Sequence, residues 1–189
     1  MKVWFTSDTH FSHTRIIELC KRPFSSIEQM NEMMVANWNE VVSNEDHVYH
    51  LGDLCLGKFD ESIKYAARLN GTKFLIPGNH DRVSSCEKMA RRQRFLPMYQ
   101  DAGFIIYPEI TMMYLEGVEL ILSHYPFSGD SQEQDRFNDI RPIRQGIPLV
   151  HGHVHDKWRI NADQFNVGVD VNDFRPVAQE TILEWARNV

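Results

Sequence analysis

Residues 74–81, FLIPGNHD, carry the pattern that decides the fold: a short apolar run followed at once by glycine and three polar residues. A run this short matches a buried strand and is too short for a helix. Further apolar runs of similar length, each followed by polar residues, lie at residues 3–5, 48–51, 120–122 and 147–150. In layered α/β folds the carboxyl ends of such strands share one edge of the sheet, where ligands bind. The pattern therefore predicts that these polar segments converge.

Segments with helical periodicity lie between the first three apolar runs. Ser26 is a candidate N-cap, and apolar residues then recur at spacings of three and four over residues 27–41. A shorter helix is predicted over residues 61–69, with Gly71 as its stop. Alternating strands and helices in the first half predict an α/β layered fold, and the second half is richer in predicted strands. Residues 179–187 fit either a strand or a helix.

The composition excludes several classes of protein. The 189 residues suit one domain, and 20 Lys and Arg against 26 Asp and Glu give a net charge of −6. This charge argues against a protein that coats nucleic acid, because such proteins carry a basic surplus. The hydrophobic fraction of 42% excludes a disordered chain, and no apolar run approaches the roughly 20 residues of a membrane span. Three cysteines without a CxxC spacing indicate neither a disulfide framework nor a thiolate zinc site, which favours a reducing cytoplasm.

The loops after the five runs contain side chains of the types that bind metal ions. In chain order they are Asp8 and His10; Asp53; Asn79, His80 and Asp81; His124; and His153 and His155. Nitrogen and oxygen donors without sulfur favour Mn²⁺, Fe, Zn²⁺, Co²⁺ or Ni²⁺ over a structural cysteine zinc. So many donors exceed the needs of one ion and suit two ions that share a bridging carboxylate. In the D-x-H and H-x-H pairs, side chains two residues apart are expected to share one face of an extended segment.

The order of these motifs, D-x-H, G-D, G-N-H-D, H and G-H-x-H, resembles the calcineurin-like metallophosphoesterase superfamily. The opening Ser7–His13 and the late Asn166–Val171 are most similar to its small phage and bacterial members. The resemblance implies a four-layer α/β/β/α sandwich of two mixed sheets flanked by helices. It further implies that one domain of this type spans residues 1–189.

The resemblance also implies roles for the motif residues. The implied ligands are Asp8, His10 and His155 for one divalent ion, Asn79, His124 and His153 for the other, and Asp53 as the bridge. Mn²⁺ is the first expectation for both ions. A hydroxide bridging the ions would attack phosphorus, with His80 as the general acid that protonates the leaving group. Asp81, next in sequence, would hold the His80 imidazole in orientation.

Three further histidines have more than one interpretation. His13 either contacts substrate, or supports the Asp8 and His10 side of the centre, or lies at the surface. His50 either supports the centre or packs in the core. His151 is two residues before His153, so strand alternation would point both the same way. It either supports a ligand or belongs to the core.

Departures from relatives indicate the substrate class. Protein phosphatases of the superfamily carry arginines where this chain has Leu54–Gly57 and Pro77, which leaves a compact phosphodiesterase as the expectation. Its substrates would be small phosphodiesters or cyclic nucleotides such as 2′,3′-cyclic AMP. A small nuclease acting on RNA or DNA ends, a phosphomonoesterase and a non-catalytic scaffold are the alternatives. We expect no membrane partner and no stable nucleic-acid complex, and a bacterial or phage-infected host cytoplasm as the location.

Overall fold

The computed structural model describes residues 1–189 and contains two five-stranded mixed sheets. The first sheet has the order β10-β1-β2-β3-β4, in which these strands are Val177–Ala178, Val3–Thr6, His47–His50, Thr72–Leu75 and Phe104–Ile106. The second has the order β5-β6-β7-β9-β8, in which these strands are Ile110–Leu115, Val118–Ser123, Leu149–His151, Gln164–Asn166 and Ile160–Asn161. The two mixed sheets and the α/β class predicted from the sequence are confirmed.

Five α-helices complete the fold. They are α1 Ile16–Leu19, α2 Ile27–Val41, α3 Phe59–Ala66, α4 Met89–Asp101 and α5 Gln179–Ala186. Helix α2 has the predicted bounds, and the Ser26 side chain accepts a hydrogen bond from the backbone N–H of Gln29 at 3.1 Å. Of the two alternatives for residues 179–187, the structure has the helix, α5, which begins directly after the short strand β10. No helix has the length and apolar character that crossing a bilayer requires.

Two hydrophobic clusters hold the layers together. The first lies between helices α2–α4 and the first sheet, where Met30, Met34 and Trp38 of α2 are buried with Val48 of β2 and Leu75 of β3. The second lies between the sheets and is made of Phe5, Leu51, Ile76, Leu120, Leu122, Val150, Phe165, Val167, Val177, Ile182 and Ala186. Because strand residues alternate between faces, each sheet contributes to the inter-sheet core with every second residue.

The outer face of the second sheet is covered by an irregular segment, residues 126–148, that contains one 3-10 turn at Asn138–Ile140. The Phe127 backbone N–H donates to the side chain of Gln164 on β9 at 2.6 Å. The edge strand β5 lies outside this cover. Its outward row, Ile110, Met112 and Tyr114, is 45%, 51% and 77% exposed. Residues 126–148 contain no α-helix, and α5 adds Ile182 and Ala186 to the inter-sheet core.

The four parallel strands β1–β4 place their carboxyl ends at one edge of the first sheet. Phe5, Tyr49 and Phe74 are partners across β1, β2 and β3, so the three chains are in register just before the polar motifs begin. The second sheet adds β6 and β7, which are also parallel to each other. As predicted, the segments that follow these strands meet along one edge of the sandwich.

Lys73 of β3 gives the fold a pH dependence that can be measured. Its ammonium donates to the Leu69 carbonyl at 3.0 Å and the Ala66 carbonyl at 3.4 Å, and burial lowers its pKa from 10.5 to about 8. Since the unfolded chain keeps the ordinary lysine pKa, it binds more protons than the folded chain between these two values. Wild type is therefore expected to gain stability relative to Lys73→Met as the pH rises through this window. Urea unfolding of both proteins at pH 7 and pH 10 measures the difference. The same comparison with Lys64→Met, an exposed position, should be independent of pH, and equal behaviour of the two variants would contradict the prediction.

Candidate metal centre

The backbone around the candidate centre is left-handed at most of the predicted ligands. The five residues concerned are Asp8, His10, Asp53, His153 and His155, with φ between 50° and 72°. This conformation costs on the order of 1–3 kcal/mol for each non-glycine residue, and it persists only where the surroundings enforce it. The expectation that D-x-H and H-x-H are extended segments is therefore wrong. β1 ends at Thr6 and β7 at His151, and left-handed turns direct the side chains instead.

Two glycines allow these turns to pack against one another. A Cβ on Gly152 would overlap the Ser7 hydroxyl and lie 2.5 Å from an Asp8 carboxylate oxygen. Gly52 has a φ of +88°, and a Cβ there would lie 2.5 Å from the Gly78 nitrogen. Larger residues at either position would push the loops apart, so the glycines in G-D and G-H-x-H are required by close approach of the loops.

The Asp53 carboxylate lies between two groups of histidines. Its Oδ2 atom is 3.6 Å from Nε2 of His10 and 3.5 Å from Nε2 of His124. Its Oδ1 atom accepts a hydrogen bond from the backbone N–H of His80 at 2.9 Å. Asp53 therefore occupies the position that a bridging carboxylate requires.

The first group contains Asp8, His10 and His155, whose potential ligand atoms all lie within 4.8 Å of one another. Nδ1 of His155 lies 3.0 Å from an Asp170 carboxylate oxygen. Because that oxygen accepts a hydrogen bond from the Nδ1–H group, Nε2 is the ring nitrogen left to bind an ion. Oδ1 of Asp8 and both ring nitrogens of His10 are buried without a hydrogen-bond partner. Buried polar atoms are rarely left unpaired, so this group is suited to a cation.

The second group contains His124 and His153. Nδ1 of His124 donates to the Leu51 carbonyl at 2.8 Å, and Nε2 of His153 donates to the Asp130 carboxylate at 2.9 Å. The two other nitrogens, His124 Nε2 and His153 Nδ1, are 3.2 Å apart, so the two rings converge. Oδ1 of Asn79, in the loop after β3, is buried without a partner. These nitrogen and oxygen atoms are donors that a divalent cation accepts.

The protonation states of His10 and His153 suit metal binding. Burial lowers the pKa of His10 well below its usual value and lowers that of His153 to about 3, so both rings are neutral at pH 7. Burial also acts to lower the pKa of His155, but the carboxylates of Asp8 and Asp170 outweigh it and hold that pKa above its usual value, so a metal ion at this ring must displace a proton. Neutral imidazoles and carboxylates fit borderline divalent ions.

Comparison with known proteins identifies the family. A family model described as calcineurin-like phosphoesterase matches residues 1–188. The chain belongs to this family. An uncharacterized protein of Methanocaldococcus jannaschii is 31% identical over 192 residues, which cover 97% of this chain and 90% of that protein. The gene 66 protein of Mycobacterium phage L5 is 28% identical over 209 residues, covering 98% and 94%. A crystal structure of a protein of unknown function from Aquifex aeolicus superposes with a TM-score of 0.74 at 28% identity, covering 97% and 98%. These matches confirm the resemblance seen in the motifs.

A buried ion pair that the sequence did not reveal supports the first group of this phosphoesterase. The Arg22 guanidinium binds both carboxylate oxygens of Asp170 at 2.7 and 2.9 Å, and it donates to the backbone carbonyls of Asp8 and Thr9. Arg22 thus fixes the turn that carries Asp8 and orients Asp170 against His155. Asp170 belongs to a motif noted in the sequence, but Arg22 follows Lys21 in a segment with no distinguishing pattern.

Asp130 has the same function behind His153. Its carboxylate accepts hydrogen bonds from Arg136 at 2.7 Å and Arg141 at 3.3 Å as well as from the His153 ring. Arg141 also donates to the carbonyls of Pro126 and Gly129, which organises the segment over the second sheet. No motif in the sequence marks Asp130, whose only signal is its position in a loop after β6.

The prediction that Asp81 orients the His80 ring is wrong. The buried Asp81 carboxylate accepts hydrogen bonds from the backbone N–H groups of Asp53, Leu54 and Gly78 at 2.7, 3.2 and 2.9 Å. The Tyr99 hydroxyl donates to it at 3.3 Å. His80 is exposed, and its ring lies 5.5 Å from that of His10, on the other side of the loop. Asp81 therefore joins two of the metal loops to each other. The catalytic role of His80 stays a prediction.

The three remaining histidines have distinct surroundings. His50 donates from Nε2 to the Thr9 hydroxyl at 3.0 Å, because that hydroxyl itself donates to the Leu54 carbonyl; His50 thus supports the turn between Asp8 and His10. His151 is fully buried, its ring lies 4.8 Å from that of Trp158, and its Nδ1 is 2.7 Å from the Gly152 carbonyl oxygen, so it both packs in the core and contacts the turn that carries His153. His13 stays at the centre, 5.2 Å from the His10 ring.

Removal of the Asp170 charge tests the supporting ion pair. Asp170→Asn leaves the Arg22 guanidinium buried without a counter-ion, which should lower the free energy of unfolding by about 3 kcal/mol. It should also weaken Mn²⁺ binding roughly 10–100-fold, because His155 loses the carboxylate that orients it. Urea unfolding and calorimetric Mn²⁺ titration measure the two effects. Asp173→Asn, at an exposed left-handed position, is the matched control and should change neither. A variant with wild-type Mn²⁺ affinity would show that Asp170 does not position His155.

Proposed function

We propose that this chain is a divalent-metal-dependent phosphodiesterase that hydrolyses small phosphodiesters, cyclic nucleotides among them. The observation that carries the proposal is the position of Asp53 between the His10 and His124 rings, with His80 at the exposed rim. The ligands would be those implied by the sequence, Asp8, His10, His155, Asn79, His124, His153 and the bridging Asp53. When bound, two divalent ions lower the pKa of water and neutralise charge on phosphoryl oxygens. Mn²⁺ is the first candidate, with Fe, Zn²⁺, Co²⁺ and Ni²⁺ as alternatives.

The surroundings of His80 support the proposed role in protonating the leaving group. Its backbone is tied to Asp53, while its exposed side chain lies near the rings of His10 and His13, at 5.5 and 6.4 Å between centroids. A general acid must reach the leaving oxygen without being consumed as a ligand. A side chain at the rim meets both conditions. We therefore assign to His80 the proton transfer to the departing alkoxide.

The nearby arginines already bind groups of the protein, which favours a diester over a monoester as the substrate. The side chains of Arg22 and Arg141 are 0% and 5% exposed and are bound to Asp170 and Asp130. Arg136 also binds Asp130, and Arg82 donates to the Gly57 carbonyl. A monoester dianion is typically gripped by free, bidentate arginines, whereas a diester carries one charge and needs fewer cationic contacts.

Hydrolysis of two chromogenic esters tests the proposed reaction. Chelator-stripped protein is assayed on bis(p-nitrophenyl) phosphate and p-nitrophenyl phosphate, before and after addition of Mn²⁺, Zn²⁺, Co²⁺ or Ni²⁺. Metal-restored activity that is greater on the diester is the expected result. A preference for the monoester would support the phosphomonoesterase instead. Cleavage of oligonucleotides without cleavage of small diesters would support the nuclease. Metal binding without any hydrolysis would support the scaffold.

Substitution of His80 separates acid catalysis from metal binding. His80→Ala should bind Mn²⁺ as wild type does, yet hydrolyse 2′,3′-cyclic AMP about 10²–10⁴-fold more slowly. The loss should be much smaller on bis(p-nitrophenyl) phosphate, because nitrophenolate departs without a proton. His47→Ala, at the opposite end of β2, is the control and should retain both activities. Loss of Mn²⁺ binding in His80→Ala would make His80 a ligand and overturn the assigned role.

A further inference from the structure

A cleft of about 480 Å³ opens beside the candidate centre, between the loop after β1 and the first turns of α2 and α3. His13 lies both in its wall and against the His10 ring, 5.2 Å away, so the cleft adjoins the candidate centre. Its volume is within the range of small-molecule sites. Only three of its eleven lining residues are hydrophobic, which indicates a ligand that forms hydrogen bonds.

The wall that carries His13 is fixed in advance. Ser12 adopts a left-handed φ of 64°, and the buried Asn31 amide holds it from both sides. Asn31 accepts a hydrogen bond from the Ser12 N–H at 2.9 Å and donates to the Ser12 hydroxyl at 3.1 Å. Gly57 packs under the same turn, where a Cβ would lie 2.8 Å from the Ser12 carbonyl oxygen. Because these contacts already order the loop, ligand binding does not carry the entropic cost of ordering it.

His13 has an unpaired hydrogen-bonding atom at this junction. Its Nδ1 is buried without a partner, and the ring lies 6.4 Å from that of His80. An imidazole nitrogen can hydrogen-bond a hydroxyl or a heterocyclic nitrogen.

The charges in the cleft disfavour a second phosphate. Its wall contains two carboxylates, Glu28 and Glu61, and one ammonium, Lys58. Lys58 is 83% exposed and already lies 3.4 Å from Glu61. The remaining charge is negative, and the whole chain carries −6. Both facts oppose a polyanionic ligand, which would need a positively charged track.

We propose that this cleft binds the leaving group of the diester, and that it accepts an uncharged, hydrogen-bonding group of nucleoside size in preference to one that bears a second phosphate. This inference rests on the proposed function, because the assigned proton transfer from His80 defines the leaving side. In the reaction, a water oxygen bonds to phosphorus and the phosphorus–oxygen bond to the nucleoside breaks. The departing oxygen takes its proton from His80, and the water proton is released. The products are a nucleoside and a phosphomonoester.

Three dinucleotides test the charge preference. The Mn²⁺-loaded protein is assayed on ApA, pApA and ApAp, and the products identify the nucleoside that leaves. We expect kcat/KM to be at least 10-fold lower for the compound whose leaving nucleoside carries the extra phosphate. The variant Glu28→Gln/Glu61→Gln should reduce this preference at least 3-fold. The matched control Glu45→Gln/Glu180→Gln makes the same charge change at exposed positions outside the cleft and should leave it intact. Equal cleavage of all three compounds would overturn the inference.

A binding measurement tests whether the cleft binds a nucleoside, independently of hydrolysis. Ligand-observed NMR should detect adenosine bound to the metal-free protein. Thr14→Trp, which fills the cleft from an exposed position, should abolish this signal, whereas Thr72→Trp on β3 should retain it. Failure of wild type to hydrolyse bis(p-nitrophenyl) phosphate with any metal would reject the proposed function alone. Active protein that neither binds adenosine nor prefers the uncharged leaving group would reject the cleft assignment alone.

Discussion

The convergence of imidazole nitrogens around the Asp53 carboxylate is the constraint on which the rest of this structure depends. The rings of His10, His124 and His153 direct nitrogens into one buried region, where Nε2 of His124 and Nδ1 of His153 are 3.2 Å apart. In a low-dielectric interior such an arrangement is unfavourable unless a cation occupies it. The contacts of neighbouring groups therefore hold these nitrogens in place.

The supporting groups act by binding the outward nitrogen of a ring or the backbone of its loop. Asp130, Asp170 and the Leu51 carbonyl each accept the outward N–H of one imidazole, which determines the tautomer and hence which nitrogen points inward. Arg22 and Asp81 bind loop backbone instead. Since one arginine and one buried carboxylate each touch more than one loop segment, the candidate ligands are positioned collectively. The left-handed backbone of these ligands is locally strained, and the supporting contacts maintain it.

Much of this architecture could be predicted from the sequence, because strand-length apolar runs and helical periodicity are local signals. The bounds of α2 followed from Ser26 and the apolar spacing, and the convergence of the polar loops followed from parallel strands. The orientations of the Asp8 and His153 side chains could not be predicted, since a left-handed turn in a non-glycine residue is enforced by distant contacts. Arg22 and Asp170 are 148 residues apart, and no spacing rule joins them. Asp81 was misassigned for the same reason: adjacency to His80 in sequence suggested a contact, whereas burial placed its carboxylate on the opposite side of the loop.

The exposed edge strand β5 affects how the chain behaves at high concentration. Its six residues leave one row of backbone N–H and C=O groups unpaired by any neighbouring strand, and its outward face presents Ile110, Met112 and Tyr114 to water. An unpaired strand edge beside an apolar row is a template for intermolecular β-pairing. The charged residues nearby are Glu109 and Glu116 at its two ends and Glu119, the partner of Tyr114 on β6. Self-association at high protein concentration is therefore expected at this edge, and Met112→Lys would add a charge there without touching the inter-sheet core.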